Sequence, residues 1–488
     1  MRERPRGQVS PTADNDAQAA GGGHYDVVII GGGPGGYAAA LYGASAGLNI
    51  AMIEARKIGG TCLHVGCIPA KELLETAHVH RTILGAGEFG FEVGPPKIDL
   101  SVTQSRKQAV IDRLVGGVTG LLKNRKVTLI DGWGKLGPDK TVTVSGGSSG
   151  DLTITGEHVI LAAGSLPRTI PGFEVDGKLV MTSDEVLSLA EIPPKVAVIG
   201  GGAIGCEFAS YFADMGSQVT ILEALPKILP GLDDDMTRIV QRSFKSRNID
   251  VRTGVAVKGH TPQGDGASTT VEFGDGETID VDAVVVSVGR RPFAESLGLE
   301  GTAVDVTERG FVEVDSYCRT GEPGVYAVGD LIATPALAHV AFAEAIVVIK
   351  DLLGEPGLPV DYGRVPWGIY CHPEVAFAGH SEQSAKEQGL DIVVSKHKYS
   401  GNGRAMIIGD TEGMVKIIAL KGPDGRAGQI VGVHMVGPWV TEQLGQGYLA
   451  VNWEATVDEV AAFIQPHPSL SELFGESVLA MTGRSLHG

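Results

Sequence analysis

The sequence predicts an α/β protein in which two similar nucleotide-binding units precede an α+β domain. Glycine supplies 70 of the 488 residues, about twice the usual share of roughly 7%. Many of these glycines follow apolar, strand-like runs, of which Tyr25–Ile30 and Lys195–Ile199 each lead through a glycine-rich turn into a helix-like stretch. From about Arg364, such turns thin out, and strands such as Gly413–Leu420 and Ile430–Val436 alternate with helices, which is typical of an α+β domain.

Composition and charge exclude several classes of protein. The length suits about three domains. A hydrophobic content of 43% and a charged content of 20% exclude a disordered, collagenous or coiled-coil chain. The net charge of −18 has the wrong sign for binding DNA or an acidic membrane surface. We therefore predict no nucleic acid partner and no membrane partner.

The cysteine content and the N-terminus indicate a cytoplasmic protein. Five scattered cysteines do not form a disulfide framework, and residues 1–24 have no apolar core of a secretory signal. We interpret these 24 residues as a disordered leader. The charge-free stretch Val27–Ile53 resembles a membrane span in length, but it contains seven glycines and Pro34. It is better interpreted as a buried strand, a turn and a helix.

The two glycine-rich turns share one spacing. Gly31–Gly36 follows the first strand, and a second strand ends in Glu54, 23 residues beyond the first glycine. Gly200–Gly205 and Glu223 repeat this arrangement with the same separation. A pyrophosphate at a helix N-terminus and a carboxylate on a ribose 2′-hydroxyl need this pattern. The repeat predicts two Rossmann-like units that bind two dinucleotides.

Three further strand-then-glycine endings fit the returning strands of these two units. They are Val159–Ser165, Val284–Arg290 and Val325–Asp330.

A pair of cysteines lies between the first unit and the next helix. Cys62 and Cys67 are five residues apart, which suggests a dithiol that cycles rather than a structural bridge. Pro69 suits the first turn of a helix, so Cys67 should lie near the helix N-terminus, where the dipole favours a thiolate. The alternatives are two buried cysteines or half of a zinc site, but the sequence offers no second Cys or His pair at metal spacing. We predict no metal site.

The segment Gly59–Lys71 is similar to the redox-disulfide signature of the pyridine nucleotide-disulfide oxidoreductases, most closely to members that oxidise dihydrolipoamide. The resemblance runs from about Tyr25 to Ser477. It also includes Leu161–Ser165, Gly200–Glu207, Gly289–Pro292, Gly329–Asp330, Leu337–His339, His372–Glu374 and His467–Glu472.

The resemblance implies a domain order and two cofactors. It implies an FAD-binding domain at 25–165, an NAD-binding domain at 166–292, a central segment at 293–363 that returns to the FAD domain, and a dimerisation domain at 364–488. The residues implied for FAD are Gly31, Gly33, Gly36, Glu54, Gly134, Ala163, Gly164, Ser165, Asp330, Ala336, Leu337, Ala338 and His339. Those implied for NAD are Gly200, Gly202, Gly205, Glu223, Val257 and Gly289.

Two acidic residues carry further implications. Glu207 would pair with Lys71 at the flavin ring, where a cation stabilises negative charge.

Glu223 bears on the choice between NAD and NADP. A carboxylate at this position accepts hydrogen bonds from a 2′-hydroxyl and repels a 2′-phosphate, and the following Ala-Leu-Pro offers no arginine to bind that phosphate. We therefore predict a preference for NAD.

The C-terminal segment implies a general base and a dimer. His467 would take a proton from the dithiol, and Glu472 would orient its imidazole. In the family this segment reaches into the disulfide site of the partner subunit, so the resemblance implies a homodimer with two composite sites.

The sequence departs from the family pattern at four positions. His64 and Ala70 replace Asn and Ser, Gln465 replaces an outer His, and Cys371 replaces Thr. His64 and Gln465 lie near the expected thiol entrance, so the identity of the dithiol stays open. Together with Cys371, the residues Cys206 and Cys318 are interpreted as small buried hydrophobic residues.

The implied activity is oxidation of dihydrolipoamide on a lipoyl-bearing carrier protein, within a 2-oxo acid dehydrogenase or glycine cleavage complex. Two alternatives remain. One is an NAD(P)H-dependent reductase of another low-molecular-weight disulfide. The other is a non-catalytic flavoprotein subunit, although such a subunit has no use for the full set of Cys62, Cys67, His467 and Glu472.

Overall fold

The protein was analysed as a computed structural model, which describes residues 22–148, 150–264 and 266–487. Within these ranges the α-helices are α1 (Pro34–Ser45), α2 (Gly60–His64), α3 (Cys67–Gly85), α4 (Leu100–Asn124), α5 (Ser183–Val186), α6 (Ala203–Asp214), α7 (Asp234–Ser246), α8 (Ala338–Leu352), α9 (Glu382–Glu387), α10 (Gly403–Ile408), α11 (Val440–Asn452), α12 (Val457–Ala461) and α13 (Glu472–Met481). Short 3₁₀ helices cover Ala86–Phe89, Pro138–Lys140, Gly329–Leu331 and Tyr399–Gly401.

The strands follow the same chain order. They are β1 (His24–Ile30), β2 (Ile50–Glu54), β3 (Thr128–Asp131), β4 (Trp133–Leu136), β5 (Thr141–Ser145), β6 (Leu152–Leu161), β7 (Ser165–Pro167), β8 (Val180–Met181), β9 (Lys195–Ile199), β10 (Gln218–Glu223), β11 (Ile249–Thr253), β12 (Val257–Gln263), β13 (Ser268–Phe273), β14 (Glu277–Val281), β15 (Ala283–Val286), β16 (Arg290–Pro292), β17 (Val325–Ala327), β18 (Trp367–Ile369), β19 (Glu374–Gly379), β20 (Ile392–Lys398), β21 (Met414–Lys421) and β22 (Ala427–Gly437).

The chain forms two compact units. The first comprises the described residues up to 60, at 116–164 and at 292–359, and the second comprises those at 61–115, at 165–291 and from 360 onward. The domain boundaries expected from the sequence stay a prediction.

The first unit contains one sheet of seven strands in the order β3-β2-β1-β6-β5-β4, with β17 also paired to β6. The strands β3, β2, β1, β6 and β17 run parallel, whereas β4 and β5 are antiparallel additions. The central strands are buried on both faces, as their continuous apolar runs predict. Parallel strands end at one edge, so this sheet places the glycine turn after β1 beside the end of β2.

The second unit contains three larger sheets. A parallel sheet has the order β11-β10-β9-β15-β8, an antiparallel sheet has the order β12-β13-β14, and a third sheet has the antiparallel order β18-β19-β22-β21-β20. A pair of short strands, β7 and β16, completes the set. The predicted fold class, two Rossmann-like units and a C-terminal α+β domain, is confirmed.

The predicted N-terminal leader is wrong at its last residue. His24 opens β1 in register with Thr155, and its imidazole lies 2.9 Å from both the Thr155 hydroxyl and the Glu157 carboxylate. These contacts extend the strand by one residue, because they give His24 partners on β6. Residues 1–21 of the leader lie outside the described residues.

The structure also shows the character of the helices and the burial of the cysteines. Within the described residues, none of the helices is both long and apolar enough to cross a membrane. The three cysteines expected to be small core residues, Cys206, Cys318 and Cys371, are buried.

A buried lysine on β21 of the C-terminal sheet pairs with acidic residues at the start of α7 and on α9, all within the second unit. Lys416 on β21 is fully buried, and its Nζ lies 3.0 Å from Asp233, 2.6 Å from Asp235 and 2.7 Å from Glu382. Burial alone would raise the pKa of Asp235, but hydrogen bonds from Lys396 and Lys416 lower it to about 2. This ion pairing therefore stabilises the fold above the unfolded carboxyl pKa of about 3.9 and is lost as pH falls toward 2.

We expect Lys416→Met to lower the free energy of unfolding by about 3 kcal/mol, because it leaves the buried carboxylate of Asp233 without the ammonium that it pairs with. The half-buried carboxylates of Asp235 and Glu382 would keep Lys396, which lies 2.8 Å from each.

Lys421→Met is the matched control, since Lys421 lies on the same strand and forms only a partly exposed pair with Asp391 at 3.7 Å. That change should cost less than about 1 kcal/mol. Equal losses in urea unfolding would show that the buried cluster is not the stabilising feature.

Candidate active site

The two cysteines of the predicted redox pair meet at the start of a helix. Cys62 lies in α2, and Cys67 is the first residue of α3. Both side chains are half-buried thiols, and a hydrogen bond joins them. The expected position of Cys67 at a helix N-terminus is confirmed.

The pKa values of the two thiols diverge. The hydrogen bond from Cys62 lowers the pKa of Cys67 to about 7, against an opposing effect of burial and with help from the charge of Lys71. Donation of that hydrogen bond, together with burial, raises the pKa of Cys62. The reduced pair therefore carries its negative charge on Cys67.

Lys71 and Glu207 form the ion pair that the sequence predicted. The ammonium of Lys71 lies 2.9 Å from Oε1 and 2.8 Å from Oε2 of Glu207. Burial works to lower the pKa of Lys71, but the charge and hydrogen bonds of Glu207 outweigh it and raise the pKa. One turn after Cys67 on α3, Lys71 is thus kept cationic beside the thiolate.

Sequence reasoning missed one residue of this site. The ring centroid of Tyr370 lies 4.9 Å from the Nζ atom of Lys71, and the Tyr370 backbone N–H donates to Oε1 of Glu207 at 2.9 Å. No periodicity or spacing links Tyr370 to residues 71 and 207, so the sequence held no signal for this contact.

The first glycine turn is closed by backbone contacts. A Cβ at Gly31, which has φ +112°, would lie 2.3 Å from the Ala162 carbonyl oxygen, and one at Gly36 would lie 1.8 Å from the Gly31 oxygen. Glu54 accepts hydrogen bonds from the N–H groups of Gly32 and Arg56, both at 2.7 Å. The carboxylate is thereby fixed at the end of β2.

The second glycine turn repeats this geometry. A Cβ at Gly200, which has φ +105°, would lie 2.5 Å from the carbonyl oxygen of Ser287, and one at Gly205 would lie 1.9 Å from the carbonyl oxygen of Gly200. Glu223 accepts from the N–H of Gly201 at 2.5 Å and from that of Leu225 at 2.7 Å. The sequence repeat is therefore a repeat of local structure.

Both turns fit a dinucleotide. Helices α1 and α6 begin after Gly33 and Gly202, which share φ −74° and ψ −172° and provide no side-chain cap. A Cβ at Gly202 would meet nothing within 4 Å, and one at Gly33 would come no closer than 3.8 Å to a neighbouring atom, Cα of Gly60. Open space before uncapped N–H groups suits a pyrophosphate.

The other predicted cofactor residues lie at strand ends and turns. Ala163 and Gly164 follow β6, Ser165 opens β7, Gly134 lies in β4, Val257 opens β12, Gly289 precedes β16, Asp330 lies in a 3₁₀ turn, and Ala336, Leu337, Ala338 and His339 surround the start of α8. Arg290 donates to the hydroxyl of Ser165 at 2.7 Å. The roles of all these residues stay predictions.

His467 and Glu472 form the predicted pair. Nδ1 of His467 lies 2.7 Å from Oε1 of Glu472, whose Oε2 accepts from the N–H of Ser469 at 2.6 Å. The imidazole is 79% exposed, whereas Glu472 is half-buried. This bond orients the ring so that Nε2 is left for proton transfer.

An amide chain braces the segment that carries His467. Gln465, which replaces the outer histidine of the family, donates to Oε1 of Gln446 at 3.2 Å, and Gln446 donates to the carbonyl of Ser471 at 3.4 Å. Asn402 holds the Ser469 carbonyl in the same way at 3.0 Å. Gln465 thus has a structural role within the segment.

The structure brings the predicted site residues together in separate groups. One is Cys62, Cys67, Lys71 and Glu207, and another is His467 and Glu472. Across the described ranges, the chain shows no hydrogen bond or ion pair between His467 and either cysteine of the pair.

Family models match most of the chain. Residues 25–345 match the model for the pyridine nucleotide-disulphide oxidoreductases, and residues 365–478 match the model for the dimerisation domain of that family. The second match supports a homodimer.

Curated relatives match over nearly the full length. The chain is 42% identical over 476 residues to a dihydrolipoyl dehydrogenase of Bacillus subtilis, a match that covers 95% of this chain and 99% of the relative. It is 37% identical over 455 residues to a dihydrolipoyl dehydrogenase of Geobacillus stearothermophilus, covering 93% and 95%.

Solved structures agree with these matches. LpdA from Mycobacterium tuberculosis aligns with a TM-score of 0.88 at 25% identity, covering 94% of this chain and 99% of that one. The HOCl-induced flavoprotein disulfide reductase RclA from Escherichia coli, solved as a Cu(II) complex, aligns with a TM-score of 0.83 at 28% identity, covering 94% and 99%. The dihydrolipoyl dehydrogenases of this family use FAD and NAD, so the two predicted cofactors are confirmed. The chain belongs to the pyridine nucleotide-disulphide oxidoreductase family.

Proposed function

We propose that the protein is a dihydrolipoyl dehydrogenase that oxidises dihydrolipoamide to lipoamide and reduces NAD. The observation that carries this proposal is the hydrogen-bonded Cys62–Cys67 pair beside the half-buried Lys71–Glu207 ion pair, in a chain that is 42% identical to a protein of that name. The overall reaction converts two substrate thiols and NAD⁺ into a disulfide, NADH and a proton.

The chain supplies the groups for thiol–disulfide exchange. With Cys62 and Cys67 oxidised to a disulfide, Nε2 of the His467 that the second copy of the chain contributes takes the proton of one substrate thiol, whose sulfur attacks Sγ of Cys62. Cys67 leaves as a thiolate, which its lowered pKa favours. The second substrate thiol then attacks the mixed disulfide and its proton passes to Cys62, by way of His467. This step releases lipoamide and leaves Cys62 as a thiol and His467 protonated.

The two glycine turns would hold the cofactors. Gly31, Gly33, Gly36 and Glu54 would bind the adenine half of FAD, and Gly200, Gly202, Gly205 and Glu223 would bind NAD. These residues would thereby hold two redox cofactors, which would supply the two-electron chemistry that the dithiol itself cannot complete. The assignment of Lys71 to the flavin ring stays a prediction.

We propose two partners, a second copy of the chain and a lipoyl-bearing carrier protein. We also propose that the protein lies in the cytoplasm. The lack of a bond between His467 and the cysteines within one chain, together with the exposure of its imidazole, supports a role in the partner subunit's site. Large apolar side chains exposed nearby in the same domain include Trp439, Phe463 and Ile464. The few, scattered cysteines suit a reducing compartment.

Steady-state kinetics with dihydrolipoamide and with glutathione, each paired with NAD and with NADP, tests the proposed function. The proposal requires the highest kcat/KM with dihydrolipoamide and NAD. A higher value with glutathione would identify a reductase of another low-molecular-weight disulfide instead.

Glu223 should make the enzyme specific for NAD. Its carboxylate is fixed by two backbone N–H groups and would repel a 2′-phosphate at close range. We expect Glu223→Arg to shift the ratio of kcat/KM values toward NADP, whereas wild-type efficiency should be far lower with NADP. Comparable wild-type efficiency with both nucleotides would contradict this assignment.

Cys67 should be the thiolate in the two-electron-reduced enzyme. A long-wavelength charge-transfer band between thiolate and flavin should grow as pH rises through about 7, because the thiolate exists above its pKa. Cys62→Ser should keep the band, and Cys67→Ser should abolish it. The reverse pattern in absorption spectra would exchange the roles of the two cysteines.

His467→Ala should lower dithiol turnover by about 10²- to 10⁴-fold, because a positioned general base is lost. Reduction of the flavin by NADH should continue in this variant, since that half-reaction does not use the imidazole.

Mixing His467→Ala subunits with Cys62→Ser subunits tests whether the site is composite. One of the two sites in a mixed dimer would then have both residues intact, so activity should partly return. If mixed dimers form and no activity returns, the site is built within one chain.

A further inference from the structure

Tyr370 contacts both members of the Lys71–Glu207 pair. It follows β18, its ring centroid lies 4.9 Å from Nζ of Lys71, and its backbone N–H donates to Oε1 of Glu207. Tyr370 is 37% exposed, so the residue reaches the surface while its ring contacts the ammonium. An aromatic face this close to an ammonium attracts it, and a partly buried setting strengthens that attraction.

The backbone around Tyr370 is fixed independently of its ring. The N–H of His372 donates to Oγ of Ser210 at 2.9 Å, and Arg247 donates to the His372 carbonyl at 2.8 Å and to Oγ of Ser210 at 2.9 Å. Ser210 lies one turn after Glu207 on α6. Replacement of the Tyr370 side chain therefore removes the ring while these anchors remain.

The charge of Lys71 bears directly on Cys67. Apart from Cys62 and burial, it has the largest effect on the pKa of Cys67, lowering it by more than the carboxylate of Glu207 raises it. The ion pair as a whole therefore acts on Cys67 as a cation. The net effect of the pair on the pKa of Cys67 depends on the position of the Lys71 ammonium. Without another contact, Glu207 would attract the ammonium toward its own carboxylate, and water would screen the charge of the ammonium.

We propose that Tyr370 is a positioning residue, whose aromatic face holds the Lys71 ammonium beside Cys67 and keeps water from it, and thereby stabilises the Cys67 thiolate. The proposal rests on the proposed function in one respect, namely that Cys67 is the thiolate that faces the flavin.

The ring, rather than the hydroxyl, carries this role. Burial raises the pKa of Tyr370, with the carboxylates of Glu374, Glu442 and Glu207 also raising it and Lys71 lowering it, so the phenol is neutral at physiological pH. Phenylalanine at this position would keep the aromatic face, whereas leucine would remove it. The two substitutions therefore separate the ring from the hydroxyl.

The test is a pH titration of the charge-transfer band in the two-electron-reduced holoenzyme, which reports the Cys67 thiolate without any dithiol substrate. We expect Tyr370→Leu to lower the ratio of thiolate to thiol at pH 7 by about threefold, and therefore to move the midpoint of the band to higher pH. Tyr370→Phe should keep the wild-type midpoint.

Tyr317→Leu is the matched control, because Tyr317 makes its cation–π contact with Arg319 instead, at 5.1 Å. It should leave the midpoint unchanged. Flavin content and the thermal unfolding midpoint show whether each variant is folded. If Tyr370→Leu does not retain flavin, Tyr370→Met removes the aromatic face with an unbranched side chain, and the same shift is expected.

An unchanged midpoint in a folded variant without the ring would overturn the proposal, and so would an equal shift in Tyr370→Phe. Failure of the proposed function gives a different result: the wild-type protein would not turn over dihydrolipoamide, while the order of the band midpoints among the variants would be as expected.

Discussion

The Lys71–Glu207 ion pair is the interaction on which the redox site depends. It joins α3, which begins at Cys67, to α6, which begins at the second glycine turn. A buried ion pair gains little net stability, because desolvation offsets the attraction between the charges. Its value here is local: it fixes a cation one turn from a cysteine whose pKa is lowered to about 7.

The same helix α6 serves two purposes. Its N-terminus provides uncapped N–H groups at Gly202, and its next turns present Glu207 to Lys71 and Ser210 to the backbone of His372. A substitution that shifts this helix would therefore disturb both the predicted NAD site and the environment of Cys67. The first unit has a glycine turn, a helix and a carboxylate in the same geometry. None of the site residues that the sequence predicted on its helix α1 corresponds to Glu207 on α6.

The sequence predicted those features that depend on local backbone chemistry. Gly31 and Gly200 have a positive φ and a backbone atom in the place of a Cβ, so their identity reveals the turn directly. The position of Pro69 likewise predicted that Cys67 lies near the N-terminus of a helix, and α3 begins at Cys67. The His467–Glu472 pair could be predicted from the sequence because both residues belong to one short segment.

Contacts between distant residues could not be predicted in this way. Tyr370 meets Lys71, and Lys416 meets Asp233, only because strands and helices far apart in the sequence pack together. No periodic pattern marks a tyrosine or a lysine for such a contact. The start of β1 at His24 was missed for the same reason, since its partners Thr155 and Glu157 lie on β6.

The proposed function requires that Cys62 and Cys67 form a redox-active dithiol that exchanges electrons with a bound flavin. An anaerobic titration with dithionite measures this property, because it counts electrons without any substrate. We expect an uptake of about four electrons per subunit in the wild type and about two in Cys62→Ser, since the flavin and the disulfide each accept two. An uptake of about two electrons by the wild-type protein would contradict it.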